Sequence, residues 1–121
     1  MLHVLIVEDD PGSRRLLQVS FSLEGHDVDV AADGAAAIDS VEAHTPDAIV
    51  VDGLLPDIDG IDLVRRFRTY EAMAAIPIVL LTGRDHETHI ANGMAAGASA
   101  YFIKPFDPDT LVQRVCELAA V

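Results

Sequence analysis

Six residues scattered along the chain could together bind a cation and a phosphoryl group. Glu8, Asp9 and Asp10 run together in "LIVEDD", Asp52 closes "AIVVD", Thr82 closes "IVLLT", and Lys104 precedes Pro105 in "AYFIKPF". Carboxylates crowded into one pocket repel one another, so either one takes a proton or a cation joins them. A hard divalent ion with oxygen ligands suits two or three carboxylates with open water positions: Mg²⁺ above all, with Mn²⁺ as a substitute. Such an ion completes its shell with phosphate oxygens. Lys104 would then neutralise a second phosphoryl oxygen as a point charge, and the Thr82 hydroxyl would donate to a third. Asp52 is left as a carboxylate able to attack phosphorus.

These residues act together only if the fold brings them to one place. Short apolar, β-branched runs alternate with longer amphipathic segments, which is the pattern of strand–helix units around a parallel sheet. Five strands are expected, from His3 to Val7, Asp27 to Ala31, Asp47 to Asp52, Pro77 to Thr82 and Ser99 to Lys104. The runs "HVLIV", "AIVV" and "IVLL" suit strands covered on both faces. In the first helix Asp10 reads as the N-cap before Pro11, and Leu16, Leu17, Phe21 and Leu23 form a stripe that Gly25 stops. Further helices are expected over 34–43, 60–70 and 85–96, and from Asp107 or Pro108 onward. All strands of an open parallel sheet end on one edge, where ligands bind. Glu8, Asp9, Asp52, Thr82 and Lys104 all fall at such ends, whereas the second strand ends in Ala31 and Ala32.

Composition narrows the remaining classes. The 121 residues, half of them hydrophobic, suit one compact domain spanning 1–121. Eight Lys plus Arg against 20 Asp plus Glu give a net charge of -12, which opposes the electrostatic term behind nucleic-acid binding. No apolar run approaches the roughly 20 residues of a membrane span, and no signal-peptide pattern is present. The lone Cys116 suits a reducing cytoplasm and reads as a buried structural thiol.

With "LIVEDD", "IVVDGLLPDIDG", "VLLTGR" and "AYFIKPF" in order on successive strands, the chain resembles the receiver domain of two-component response regulators over nearly its whole length. The resemblance implies a flavodoxin-like α/β fold with strand order 2-1-3-4-5. It also implies Asp52 as phosphoacceptor, with Asp9 a direct Mg²⁺ ligand, Glu8 acting through water, and the Leu54 backbone carbonyl a further ligand. Thr82 and Lys104 match the phosphate contacts, Tyr101 the aromatic switch, and the Lys104–Pro105 bond would be cis. The implied donor is a histidine kinase or histidine phosphotransfer protein. The implied output is a domain or effector engaging the face from strand four to helix five. Whether the chain stands alone or is cut from a longer regulator stays open.

Other readings of the same residues are weaker. Asp57, Asp59 and Asp62 lack Ca²⁺-loop spacing, so "PDIDGID" reads as a solvated turn with Gly60 at a positive φ. His86 and His89 have no third zinc ligand nearby. A Mg²⁺-dependent phosphatase with an aspartyl-phosphate intermediate is the alternative function. It would need a second Asp where Leu54 stands and a cap over the substrate, so a switch fits better than a turnover enzyme. A flavin module would need a phosphate-cradling loop where "VEDDPG" puts carboxylates. Leu54 and Arg84 fill two variable positions, and an apolar Leu54 cannot orient water, which predicts a long-lived phosphoryl group. Ser99 and Ala100 stand where winged-helix regulators carry acids of a dimer face near Arg114, which predicts a monomer or weak dimer.

Overall fold

A computed structural model describes residues 1–83 and 87–120. The readings placed on Arg84, Asp85 and His86 lie outside the described residues.

The chain alternates strand and helix: β1 (His3–Val7), α1 (Pro11–Leu23), β2 (Asp27–Ala31), α2 (Gly34–Ala43), β3 (Ala48–Asp52), α3 (Gly60–Phe67), a 3₁₀ turn (Glu71–Met73), β4 (Ile78–Thr82), α4 (Glu87–Ala96), β5 (Ala100–Ile103) and α5 (Pro108–Ala119). The strands form one parallel sheet in the order β2-β1-β3-β4-β5, the flavodoxin-like order expected.

Side chains alternate across a strand, so each strand feeds two cores. Leu5, Val7, Ile49, Val51, Ile78 and Leu80 face α2, α3 and α4, while Val4, Ile6, Val50, Val79 and Leu81 face α1 and α5. That double burial is why β1, β3 and β4 read as unbroken apolar runs.

The differences from expectation are local. Asp47 and Pro77 stand just outside their strands. The Asp47 carboxylate accepts from the His3 N–H at 2.8 Å, and Pro77 has no N–H to give a ladder. Helix α3 stops at Phe67 because the chain tightens into turns there, Thr69 N–H bonding Arg66 O and Tyr70 N–H bonding Phe67 O at 3.1 Å each. On α1 only Leu17 and Phe21 are buried, while Leu16 is 48% exposed and Leu23 81% exposed. The i, i+4 pair shares one line along the helix, and Leu23, two residues past Phe21, points roughly to the opposite side.

Arg68, just after α3, has a structural role that its sequence context does not reveal. Its Nε and Nη2 donate to Gly97 O at 2.9 and 2.8 Å, Nη1 donates to Met73 O and Ile76 O at 2.8 and 2.7 Å, and Nη2 also donates to Ser99 Oγ at 3.2 Å. The half-buried guanidinium therefore fastens the end of α3 to the approaches of β4 and β5, and burial draws its pKa down. Arg68→Met should strip those acceptors of their donors and lower stability by about 2 kcal/mol in urea denaturation. Arg68→Lys should recover little of this, because one ammonium cannot span the same acceptors. A wild-type midpoint for Arg68→Met would remove the argument.

Candidate functional site

The C-terminal ends of β1, β3, β4 and β5 place the expected residues at one edge. Parallel pairing aligns Val51 with Val7, Asp52 with Leu81, and Thr82 with Ile103. Glu8 and Lys104 sit one residue beyond β1 and β5, held in register by Glu8 N–H to Ala31 O at 3.0 Å and Lys104 N–H to Thr82 O at 2.8 Å. Glu8, Asp52 and Thr82 are buried, whereas Asp9 is exposed.

Oxygen atoms of Glu8, Asp9 and Asp52 all lie within 4.8 Å of one another. Lys104 Nζ stands between two of these acids, 3.2 Å from Glu8 Oε1 and 3.3 Å from Asp52 Oδ1. The ammonium thus already pairs with both acids, a contact the sequence reading did not include.

One ammonium does not balance the cluster. Burial first, then the charge of Asp52 and a hydrogen bond to it, raise the Glu8 pKa to about 7, against the lowering effect of Lys104. For Lys104, burial lowers the pKa, but Asp52 and Glu8 outweigh it and the net shift is upward. A group of oxygen donors with surplus negative charge, one of them exposed, fits a hard divalent ion such as Mg²⁺. Glu8, Asp9 and Asp52 are the side chains that would hold it.

Asp10 stays outside this cluster. Its carboxylate accepts from the Ser13 N–H at 2.8 Å, caps α1, and has its pKa lowered chiefly by that bond. Asp59 likewise caps α3 through the Ile61 N–H at 2.9 Å, and Asp62 pairs with Arg65 at 2.7 Å. Neither belongs to a metal-competent group among the described residues. The Lys104–Pro105 peptide is cis.

Gly60 corrects one expectation. Positive φ occurs at Gly25 and Gly97 among the described glycines, and Gly60 instead opens α3. Its need for a missing side chain is one of space. A Cβ there would collide with the Asp52 carbonyl oxygen and sit 2.6 Å from Gly53 Cα. Gly60 N–H also bonds Gly53 O at 3.0 Å, so the loop after Asp52 folds back on its own start. Within it Leu54 bridges Asp59, its N–H lies 3.4 Å from Asp52 Oδ1, and its side chain is 60% exposed.

Tyr101 lies on β5 opposite Leu80, half-buried against the α3–α4 side of the sheet. Its ring meets that of His89 edge-on at 6.4 Å. Ser99 Oγ accepts from the Ile78 N–H at 3.0 Å as well as from Arg68, and Arg114 lies 3.7 Å from Glu117 on its own helix. Cys116 is partly exposed, with its Sγ 3.3 Å from His26 Nε2. The thiol is therefore neither fully buried nor isolated.

Residues 4–116 match the family model described as the response regulator receiver domain. Among curated relatives, the transcriptional regulatory protein TrcR of Mycobacterium tuberculosis is 39% identical over 94% of this chain and 44% of its own length. The DNA-binding response regulator MtrA of Mycolicibacterium smegmatis is 38% identical over 93% of this chain and 48% of its own. The chain thus spans about half the length of these relatives. Among solved structures, the receiver domain of the Francisella response regulator 1452 superposes with a TM-score of 0.91 at 30% identity, covering 98% of this chain and 97% of that one. A chain described as a response regulator from Chloroflexus aurantiacus gives 0.93 at 36% identity, covering 99% and 98%. Fold, site and relatives agree: the chain belongs to the receiver domains of two-component response regulators.

Proposed function

We propose that Asp52 accepts a phosphoryl group from a phosphohistidine on a histidine kinase or histidine phosphotransfer protein. The observation that carries this reading is the convergence of Glu8, Asp9 and Asp52 within 4.8 Å, with Lys104 Nζ bridging Glu8 and Asp52. A carboxylate oxygen of Asp52 attacks phosphorus, the phosphorus–nitrogen bond breaks, and the imidazole leaves with its electron pair. Mg²⁺, or Mn²⁺ in its place, would supply charge neutralisation, held by Glu8, Asp9, Asp52 and the Leu54 carbonyl. Lys104 and the Thr82 hydroxyl engage phosphoryl oxygens. The new charge biases Thr82 and Tyr101, and with them the face from β4 to α5, towards a second arrangement. This is a switch that catalyses its own modification and its reversal rather than turnover of a separate substrate.

Residues 1–121 form a single receiver unit on this reading, working in the cytoplasm as a monomer or weak dimer. Its output is a domain or effector docking on the β4 to α5 face. The name of one relative, MtrA, attaches DNA binding to a protein about twice as long, and a charge of -12 argues against that task falling to these residues. No described helix is long and apolar enough to cross a membrane.

Incubation with acetyl phosphate and MgCl₂, followed by peptide mapping, should place one acid-stable, hydroxylamine-labile phosphoryl group on Asp52. Labelling at another residue, or undiminished labelling in EDTA, would overturn the reading. The apolar, exposed Leu54 cannot orient a water for hydrolysis, so phospho-Asp52 should be long-lived. Leu54→Asn and Leu54→Glu should change its half-life, and an unchanged decay would remove that argument.

A further inference from the structure

The loop after Asp52 is anchored at a point that lies outside the acid cluster. The Asp57 carboxylate accepts two backbone N–H groups at the start of α2, Gly34 at 2.8 Å and Ala35 at 2.9 Å, one through each oxygen. Asp33, the N-cap of that helix, takes the Ala36 N–H at 2.8 Å, so the three amides are divided between a local cap and a carboxylate more than twenty residues away in sequence. The fit is close in space as well, because a Cβ on Gly34 would collide with the Ile58 side chain. Those amide bonds, Gly34 first, hold the Asp57 carboxyl below its ordinary pKa. Asp57 is therefore a charged anchor on the first turn of α2, and among the described residues it has no part in the acid cluster.

We propose that Asp57 is a positioning residue for the metal-holding loop: its clamp on the first turn of α2 fixes residues 53–59, and so sets where the Leu54 carbonyl stands relative to Glu8, Asp9 and Asp52. The inference rests on the function proposed above, since it assigns Asp57 to that same site. Two ends of the loop are already pinned. Asp52 is locked in the sheet, and Gly60 is locked by the Gly53 bond and by α3. Between them the Leu54–Asp59 bridge joins the loop only to itself. Leu55 packs against the core below, and Asp57 and Ile58 seat the loop on the start of α2.

Titration of the unphosphorylated full chain with MgCl₂ by calorimetry tests this without reference to activity. Asp57→Ala should weaken Mg²⁺ binding about 10-fold, as loss of an outer-shell partner of a metal site commonly does, and Asp57→Asn, which keeps one acceptor, should weaken it less. Phosphorylation by acetyl phosphate at saturating Mg²⁺ should stay within about twofold of wild type, since the ligands themselves are intact. Gly34→Ala separates clamping from simple charge. It removes no carboxylate but pushes Ile58 away, and should also weaken Mg²⁺. Gly34→Ala at wild-type affinity, or both Asp57 variants at wild-type affinity, would overturn the clamp. A wild-type chain that binds no Mg²⁺ would instead overturn the function on which it rests. Circular dichroism melts identify any variant that fails to fold, in which case Asp57→Asn carries the decision.

Discussion

Lys104→Met is expected to slow Mg²⁺-dependent labelling of Asp52 by roughly 100- to 1,000-fold, the loss typical when one preorganised charge at a reacting centre is removed. The side chain keeps its length and apolar stem, so the change isolates the ammonium. In the folded protein that ammonium lies 3.2 Å from Glu8 and 3.3 Å from Asp52. Its removal leaves two buried acids facing each other with no counter-charge, and Glu8, whose pKa Lys104 now lowers, should move above its present value of about 7. The variant should therefore melt at a lower temperature at pH 8 than at pH 6, because the lower pH lets Glu8 keep a proton, and MgCl₂ should restore part of the loss. Lys104→Arg should rescue charge but not rate, its planar fork being a different shape from a point charge. Labelling of Lys104→Met at the wild-type rate would rule out the role given to this residue.

Mg²⁺ affinity should rise steeply with pH and level off just above neutrality. Glu8 titrates near 7 in the folded protein against an ordinary 4.5. Below 7 a cation must displace that proton, so affinity should change about 10-fold per pH unit there and little above it. The same shift fixes the sign of metal-free stability. Between about 4.5 and 7 the native state holds a proton that the unfolded chain has lost, so stability falls as pH rises through that interval and is lowest above it. Glu8→Gln, which cannot ionise, should flatten both profiles. Equal Mg²⁺ dissociation constants at pH 5.5 and 8 would contradict the assignment.

The sheet was legible because three of its strands are buried on both faces and so carry unbroken apolar runs, and because four of the helices start at an aspartate. Asp10, Asp33, Asp59 and Asp107 all cap helices through their side chains. Much of the acidity that looks like site chemistry is therefore helix initiation. The convergence of Glu8, Asp9, Asp52, Thr82 and Lys104 was legible for one reason: strand ends of a parallel sheet share an edge. What escaped were contacts without a local pattern. Asp57 reaches α2, Arg68 reaches Gly97 and Ser99, and His26 reaches Cys116, each across more than twenty residues. The Gly60 expectation failed for a related reason. Its requirement comes from the Asp52 carbonyl, a neighbour that only the folded loop supplies.

Among the described residues strand β2 pairs on one side only, with β1, and it reads "DVDVA" with Asp27 and Asp29 exposed. An open strand edge is a template for adding another chain's strand, and charges along it discourage that. A second molecule approaching this edge would bring its own Asp27 and Asp29 against the first pair, within a particle already carrying -12. The two aspartates contribute nothing to the acid cluster, and with Asp29 also 2.8 Å from His3 Nε2 they line the open edge as guards against sheet-to-sheet aggregation.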